Sequence, residues 1–171
     1  MTFVERMIGA ARLNTNTYEE VEADRGATGQ ALGVVVLASV ASGIGMGQGL
    51  RGLVIGTVLS LIGWAIWAWL IYFIGTRWLP EPDTNADAGQ LLRTVGFATS
   101  PGVLRVLGIV PLLGELVFVV TAIWTLIAMV VAVRQALDYR STGRAVGVCI
   151  IGWLVQLAIL VVVGGLARRA G

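Results

Sequence analysis

The sequence predicts an all-α, polytopic membrane bundle of five transmembrane helices. The third is broken by proline and glycine, and an amphipathic helix precedes the first. Three observations carry this prediction. The chain of 171 residues is 57% hydrophobic and only 13% charged, with a mean hydropathy of +0.85, whereas soluble domains carry about 25% charged residues. Apolar runs recur at the length needed to cross a bilayer, since ~20 residues at a helical rise of ~1.5 Å cover a ~30 Å hydrocarbon core. The arginines gather in alternate connections, as the cytoplasmic bias of arginine in short loops requires.

Taken in order, residues 1–27 read as a cytoplasmic amphipathic and acidic segment and residues 28–171 as the transmembrane domain. Phe3, Val4, Met7, Ile8 and Ala11 recur at helical spacing with Glu5, Arg6 and Arg12 elsewhere on the wheel. Such a helix lies either in the membrane interface or against the protein itself. The amino terminus lacks the apolar core of a signal peptide, so the first span is expected to act as an internal insertion signal. Asn14-Thr15-Asn16 breaks the first helix. Thr17 and Glu20 then stand at capping-box spacing, followed by the acidic run Glu19, Glu20, Glu22 and Asp24.

The spans are expected at about 28–48, 53–75, 92–112, 115–134 and 145–167. In the first, Gly29, Gly33, Ala41, Gly45 and Gly49 form a small-residue face of the kind that lets helix backbones approach in lipid. That face serves packing within the chain or between two copies. The Gly-rich turn around Arg51 has no preceding strand and no lysine, which argues against a phosphate-cradling loop. Trp67, Trp69, Tyr72 and Trp78 crowd the end of the second span and read as interfacial anchors. The loop 77–89, with Pro80 and Pro82, separates spans.

The segment 92–112 is unlike the others, because it carries Ser100-Pro101-Gly102, Arg105 and Pro111. Pro101 removes a backbone donor and disfavours a helical Ser100, freeing carbonyls near residues 97–98. Arginine placement argues that it crosses. With five spans and the amino terminus inside, Arg6, Arg12, Arg25, Arg77, Arg93, Arg134, Arg140 and Arg144 are cytoplasmic, against Arg51, Arg168 and Arg169 outside. If the segment does not cross, Arg134, Arg140 and Arg144 change sides and the bias weakens. The expected protein is therefore a multi-pass protein of the cell (inner or plasma) membrane, N-in and C-out.

The composition excludes several chemistries. All 12 basic residues are arginine, there is no histidine, and Cys149 is the single cysteine. Schiff-base chemistry, His-dependent triads and imidazole or multi-thiolate metal sites are thereby removed. No two carboxylates share a span, so a paired-aspartate mechanism has no partners either. No catalytic residue, cofactor, metal or nucleic-acid partner is expected.

Local wording adds a resemblance. TYEEVEADRGATGQAL leads into the first span; VGFATSPGVLRVLGIVPLLG is followed by a clean span ending VRQALDYRSTGRAV. In these motifs and their order, over roughly residues 10–165, the chain resembles prokaryotic members of the Yip family, the Ypt/Rab-interacting (YIPF) membrane proteins. The resemblance implies five transmembrane helices and a cytosolic amino terminus. Eukaryotic members act in vesicle traffic and bind prenylated Rab-type GTPases. Their amino-terminal Asp-Leu-x-Gly-Pro motif has no counterpart in Asn14–Asp24.

Two functions follow. One is a non-enzymatic membrane protein that organises membrane or recruits partners. It would act through a cytoplasmic surface of Tyr18, Glu19, Glu20, Glu22, Arg134, Arg140 and Arg144, its partners being the lipid bilayer and a cytoplasmic protein or a second copy. The other is a small transporter or channel with a solute or lipid-headgroup site at Ser100, Pro101, Gly102, Arg105 and Glu115. A charge at mid-span costs about 2.5–3.5 kcal/mol, so Arg105 is expected to snorkel, to pair with Glu115 or to meet a ligand. Thr57, Ser60 and Gln156 are polar positions in other spans, suited to interhelical hydrogen bonds.

Overall fold

The structure, a computed structural model, describes residues 1–170, with side chains through residue 159 and at 161. Every regular element among them is helical: α1 (Phe3–Ala11), α2 (Thr15–Ala23), α3 (Ala27–Gly45), α4 (Leu50–Phe73), α5 (Ala88–Ala98), α6 (Gly114–Ala136) and α7 (Thr142–Ala170). A π-turn, Ile74–Trp78, extends α4, and a 3-10 helix, Ser100–Ile109, follows α5. Four helices are long and apolar enough to cross a membrane: Ala27–Gly45, Leu50–Trp78, Gly114–Ala136 and Thr142–Ile159. The side chains of Arg168 and Arg169 lie outside the described residues.

Three of the connections close by the same local chemistry. At Leu13, Gly47 and Asp138 the backbone enters the left-handed region, with φ of 61°, 67° and 52°. In each case the next residue's N–H reaches back to the carbonyl five residues earlier: Asn14 to Gly9, Gln48 to Gly43 and Tyr139 to Arg134. This is the Schellman closure, which satisfies the orphan carbonyls at a helix end. Asn14 caps α2, its side chain accepting from Asn16 N–H at 3.0 Å. The capping box expected at Thr17 and Glu20 does not form. Thr17 is buried inside α2, and the Glu20 carboxylate is held by Arg6 and the terminal ammonium.

The stretch 92–112 is not one continuous α-helix. α5 ends at Ala98 and the chain continues in 3-10 winding from Ser100. Pro101 has no N–H to give Phe97, four residues back, so that carbonyl needs another donor. Ser100 Oγ supplies it at 2.6 Å, and Thr99 Oγ1 donates to the Gly96 carbonyl at 2.7 Å. Gly102 N–H then bonds Thr99 at 2.8 Å, the i to i+3 closure of a 3-10 helix.

The tighter winding sets the packing. In 3-10 geometry residues three apart eclipse, so Gly102, Arg105 and Gly108 share one face. That face, extended by Gly96, lies along α3. A Cβ on Gly96 would stand 2.8 Å from Ala31, one on Gly102 would stand 3.2 Å from Ala38, and one on Gly108 would stand 3.2 Å from the Gly45 carbonyl. Glycines six apart thus meet small residues seven apart. The rises agree: the step 102–108 is 3-10 and covers ~12 Å, the step 96–102 is part α and part 3-10 and covers ~10–11 Å, and seven α residues cover ~10.5 Å. The segment runs beside α3 from Ala31 to Gly45, in the same direction.

The amino-terminal helices seal the other end of the bundle. Phe3 meets Phe97 edge-on at 6.5 Å, and Trp124 Nε1 donates to the last-turn carbonyl of Ala11 at 2.7 Å. Helix α1 therefore packs on the protein, while Val4 and Ile8 remain exposed on its outer side. Buried Arg6 donates to Gln30 at 2.9 Å, Glu20 at 3.0 Å and Asp24 at 2.7 Å. Buried Arg93 caps the C-terminal end of α2, its guanidinium donating to the carbonyls of Val21 and Glu22.

Candidate functional site

A partly open cavity of about 400 Å³ lies between α3, α4, the α5/3-10 segment, α6 and α7. Two ends can be distinguished. One is apolar and aromatic, lined by Val35, Trp64, Trp67, Val95, Met129 and Trp153. The other, toward the α3–α4 turn, presents Ser42, Gln48, Arg105 and Gln156.

Each wall follows from helical spacing. On α4, Gly56, Ser60, Gly63, Trp64 and Trp67 recur at steps of three and four, so they fall on one face. Ser60 Oγ accepts a hydrogen bond from Ser39 Oγ of α3 at 3.0 Å. Trp64 Nε1 donates to Leu92 O at 3.0 Å. Trp67 is not an interfacial anchor. It is 6% exposed, stacks on Trp153 at 6.1 Å and directs its N–H to Met129 Sδ at 3.4 Å. Trp69 and Trp78 are exposed.

Arg105 is the cation of the site. Its carbonyl abuts Gly45, and its side chain passes between α3 and α6. Nε donates to Thr121 Oγ1 at 3.3 Å, and Cζ lies 5.9 Å from the centre of the Phe118 ring. Thr121 passes its own hydroxyl proton to Val117 O at 2.7 Å. Cζ also stands 3.9 Å from where a Gly102 Cβ would be, so the guanidinium turns back along the segment toward Gly102. Thr121 is seven residues into α6, about 10 Å at the helical rise. Arg105 therefore reaches into the bundle and does not snorkel toward Pro111. Glu115 is exposed and forms no ion pair with it among the described residues. Near it, Thr125 Oγ1 lines the cavity, buried without a hydrogen-bond partner.

Ser100, Pro101 and Gly102 are buried, and only Gly102 reaches the cavity wall. The small-residue face divides. Ala41 and Gly45 point inward, Gly33 meets Phe3, and Gly29 and Gly49 face open space. Sequence reading missed Gly63, Trp64, Thr125, Met129 and Trp153. The signal that marks them is a polar or small residue recurring with an aromatic one on the same helix face.

Of the expected cytoplasmic surface, Tyr18 is turned inward, Glu20, Glu22 and Arg134 are half-buried, and Glu19, Arg140 and Arg144 are exposed. Tyr18 is fully buried, its hydroxyl donating to Ala10 O at 3.0 Å, and burial pushes its phenol well above the usual range. Glu20 is held below the usual carboxylate range by the terminal ammonium and Arg6. Glu22 is half-buried and accepts from Gln90 at 3.0 Å. Burial, with Asp138 and then Glu19 and Asp87 outweighing Arg93, pushes it up to about 7. Glu19 accepts from Gln135, Arg134 donates to the carbonyls of Tyr139 and Arg140, Arg140 pairs with Asp83, and Arg144 with Glu81.

A family model of the Yip1 domain matches residues 15–163. No curated protein and no solved structure matches the chain. The matched range takes in α2, all four long apolar helices in whole or in main part, and every residue of the cavity. The chain is a multi-pass membrane protein and belongs to the Yip1 family.

Proposed function

We propose that this protein is a non-enzymatic component of the cell membrane that binds an anionic group in its intramembrane cavity, as a small transporter or carrier would. One observation carries the reading: Arg105 is directed at a cavity within the bundle without a carboxylate partner among the described residues. A half-buried guanidinium inside a helix bundle still needs a counter-charge or water to offset its desolvation, and the cavity has room for either. Recruitment of a cytoplasmic partner through Tyr18 and Glu20 draws less support, because those side chains are engaged internally.

The topology proposed with it is five crossings, N-in and C-out, with α5 and the 3-10 helix together forming the third. Its supports are the arginine bias and the run of residues 96–108 alongside α3. A reporter fused after Gly171 and read as cytoplasmic would remove this topology. Binding is tested by thermal unfolding in neutral micelles, with anionic lipid or soluble organic phosphate added. At least one should raise the Tm of wild type and leave Arg105→Gln unmoved. No shift, or the same shift in both proteins, overturns the proposal.

A further inference from the structure

We infer that the occupant is an anionic phospholipid, its phosphate on Arg105 and one acyl chain along the tryptophans. This rests on the anion-binding reading above and adds the chemical class of the ligand. The cavity is amphiphilic along its length. From the α3–α4 turn inward it passes Gln48 and Ser42, then Arg105, and ends on Trp64, Trp67, Met129 and Trp153. On α3 the lining runs from Met46 to Val35, 11 residues or about 16 Å at the helical rise. A free hydrophilic anion would use the arginine and leave the aromatic end unmatched.

Among the described residues, α4 and α7 also part from one another beyond their aromatic contact. Helices α4 and α7 touch from Leu79–Gly147 through Ile71–Gly152 to the Trp67–Trp153 stack. Beyond that stack, Gly63 of α4 and Gln156 of α7 both line the cavity, and a Cβ on Gly63 would meet nothing within 4 Å. Exposed Leu59 and Ile62 on α4 and Leu154 and Leu157 on α7 flank the opening with apolar side chains. A lipid can enter sideways there, drawn by a cation it neutralises.

The experiment is native mass spectrometry from neutral micelles with phosphatidylglycerol, phosphatidylcholine or glycerol phosphate at equal concentration. Wild type should retain phosphatidylglycerol at least tenfold over phosphatidylcholine and should not retain glycerol phosphate. Arg105→Gln should abolish the preference. Gly63→Phe and Gly56→Leu, which grow side chains into free cavity space, should each cut retention at least tenfold. Gly29→Phe, on open surface away from the cavity, should not. Monodisperse elution and helical circular dichroism establish that each variant is folded, and either plug suffices. Retention of phosphatidylglycerol by a folded plug variant at the wild-type level overturns the inference. So does capture of glycerol phosphate without the lipid, an outcome that leaves the anion-binding reading standing. Loss of every Arg105-dependent capture removes both.

Discussion

Gly45→Ala is the sharpest test of how α3 and the 3-10 segment fit. A Cβ at this position overlaps the carbonyl oxygen of Arg105, and would stand 3.0 Å from its carbonyl carbon and 3.3 Å from Phe118 Cε2. The obstacle is mainly backbone, so no rotamer change relieves it. Overpacking of this kind costs about 1–3 kcal/mol, with the upper end expected where main chain must move. Replacing glycine by alanine in a helix returns at most about 1 kcal/mol. The net expectation is a loss of about 2 kcal/mol, and at ~2–4 °C per kcal/mol for a chain of this size the Tm should fall by roughly 4–8 °C. Gly29→Ala is the matched control on the same helix, since its Cβ meets nothing within 4 Å. It should be neutral or slightly stabilising. Tryptophan fluorescence during thermal unfolding in micelles reads both. Equal Tm values for the two variants would refute the packing register of α3 against Gly96, Gly102 and Gly108.

Two further outcomes follow from the amino-terminal helices. Glu22 titrates at about 7 in the folded state against 4.5 as a free group, so the fold holds its proton more tightly than the unfolded chain does. Stability should fall as pH rises from about 4.5 to about 7 and level off above that, and Glu22→Gln should remove the slope in Tm. Asp138→Asn should shrink it, because Asp138 is the chief charge raising Glu22. Glu20 and Asp24 act in the opposite sense, their lowered values costing stability only at more acid pH. Arg93→Met should cost about 1.5–3 kcal/mol, the range for hydrogen bonds to a charged group, by uncapping α2 at Val21 and Glu22. Hydrogen exchange should speed up in Thr15–Ala23 and not in the middle of α6, and Arg93→Lys should not restore protection, since a lysine cannot span two carbonyls with a planar fork.

Much of the frame was legible because hydropathy over a span-length window answers to a single physical demand. The runs containing Val34, Leu61, Val120 and Ile151 carry no charge, and each sits in a long helix. The Pro101 argument pointed to the carbonyls near residues 97–98; that of Phe97 is met by a serine hydroxyl, and the chain keeps winding. The Gly96, Gly102, Gly108 stripe was not legible on an α-helical wheel, where a step of six residues rotates through about 600° and scatters the three. In the 3-10 helix the step from Gly102 to Gly108 closes two full turns, and the change of winding after Ala98 brings Gly96 into line with them. The acidic helix misled for a different reason. Its carboxylates suggest a solvated surface, yet Thr17, Tyr18 and Val21 form the buried face, and burial is decided by α5 and α6, distant in sequence. The aromatic lining of the cavity was hidden because tryptophan near a span's end serves the interface and the bundle interior alike; only the stack of Trp67 on Trp153 separates them.

The amino-terminal helices are fixed by residues made long after them, and this sets an order of assembly. Arg93 grips a carbonyl 72 residues earlier in the chain, and Trp124 grips one 113 residues earlier. At a synthesis rate of ~5–20 residues per second, Ala11 waits on the order of 6–20 s before Trp124 exists. For that interval α1 has an apolar face with no protein to cover it, and the bilayer surface is the nearest place to rest it. Helices α1 and α2 are thus made early and seated late, and they close onto α5 and α6 only after both have been made.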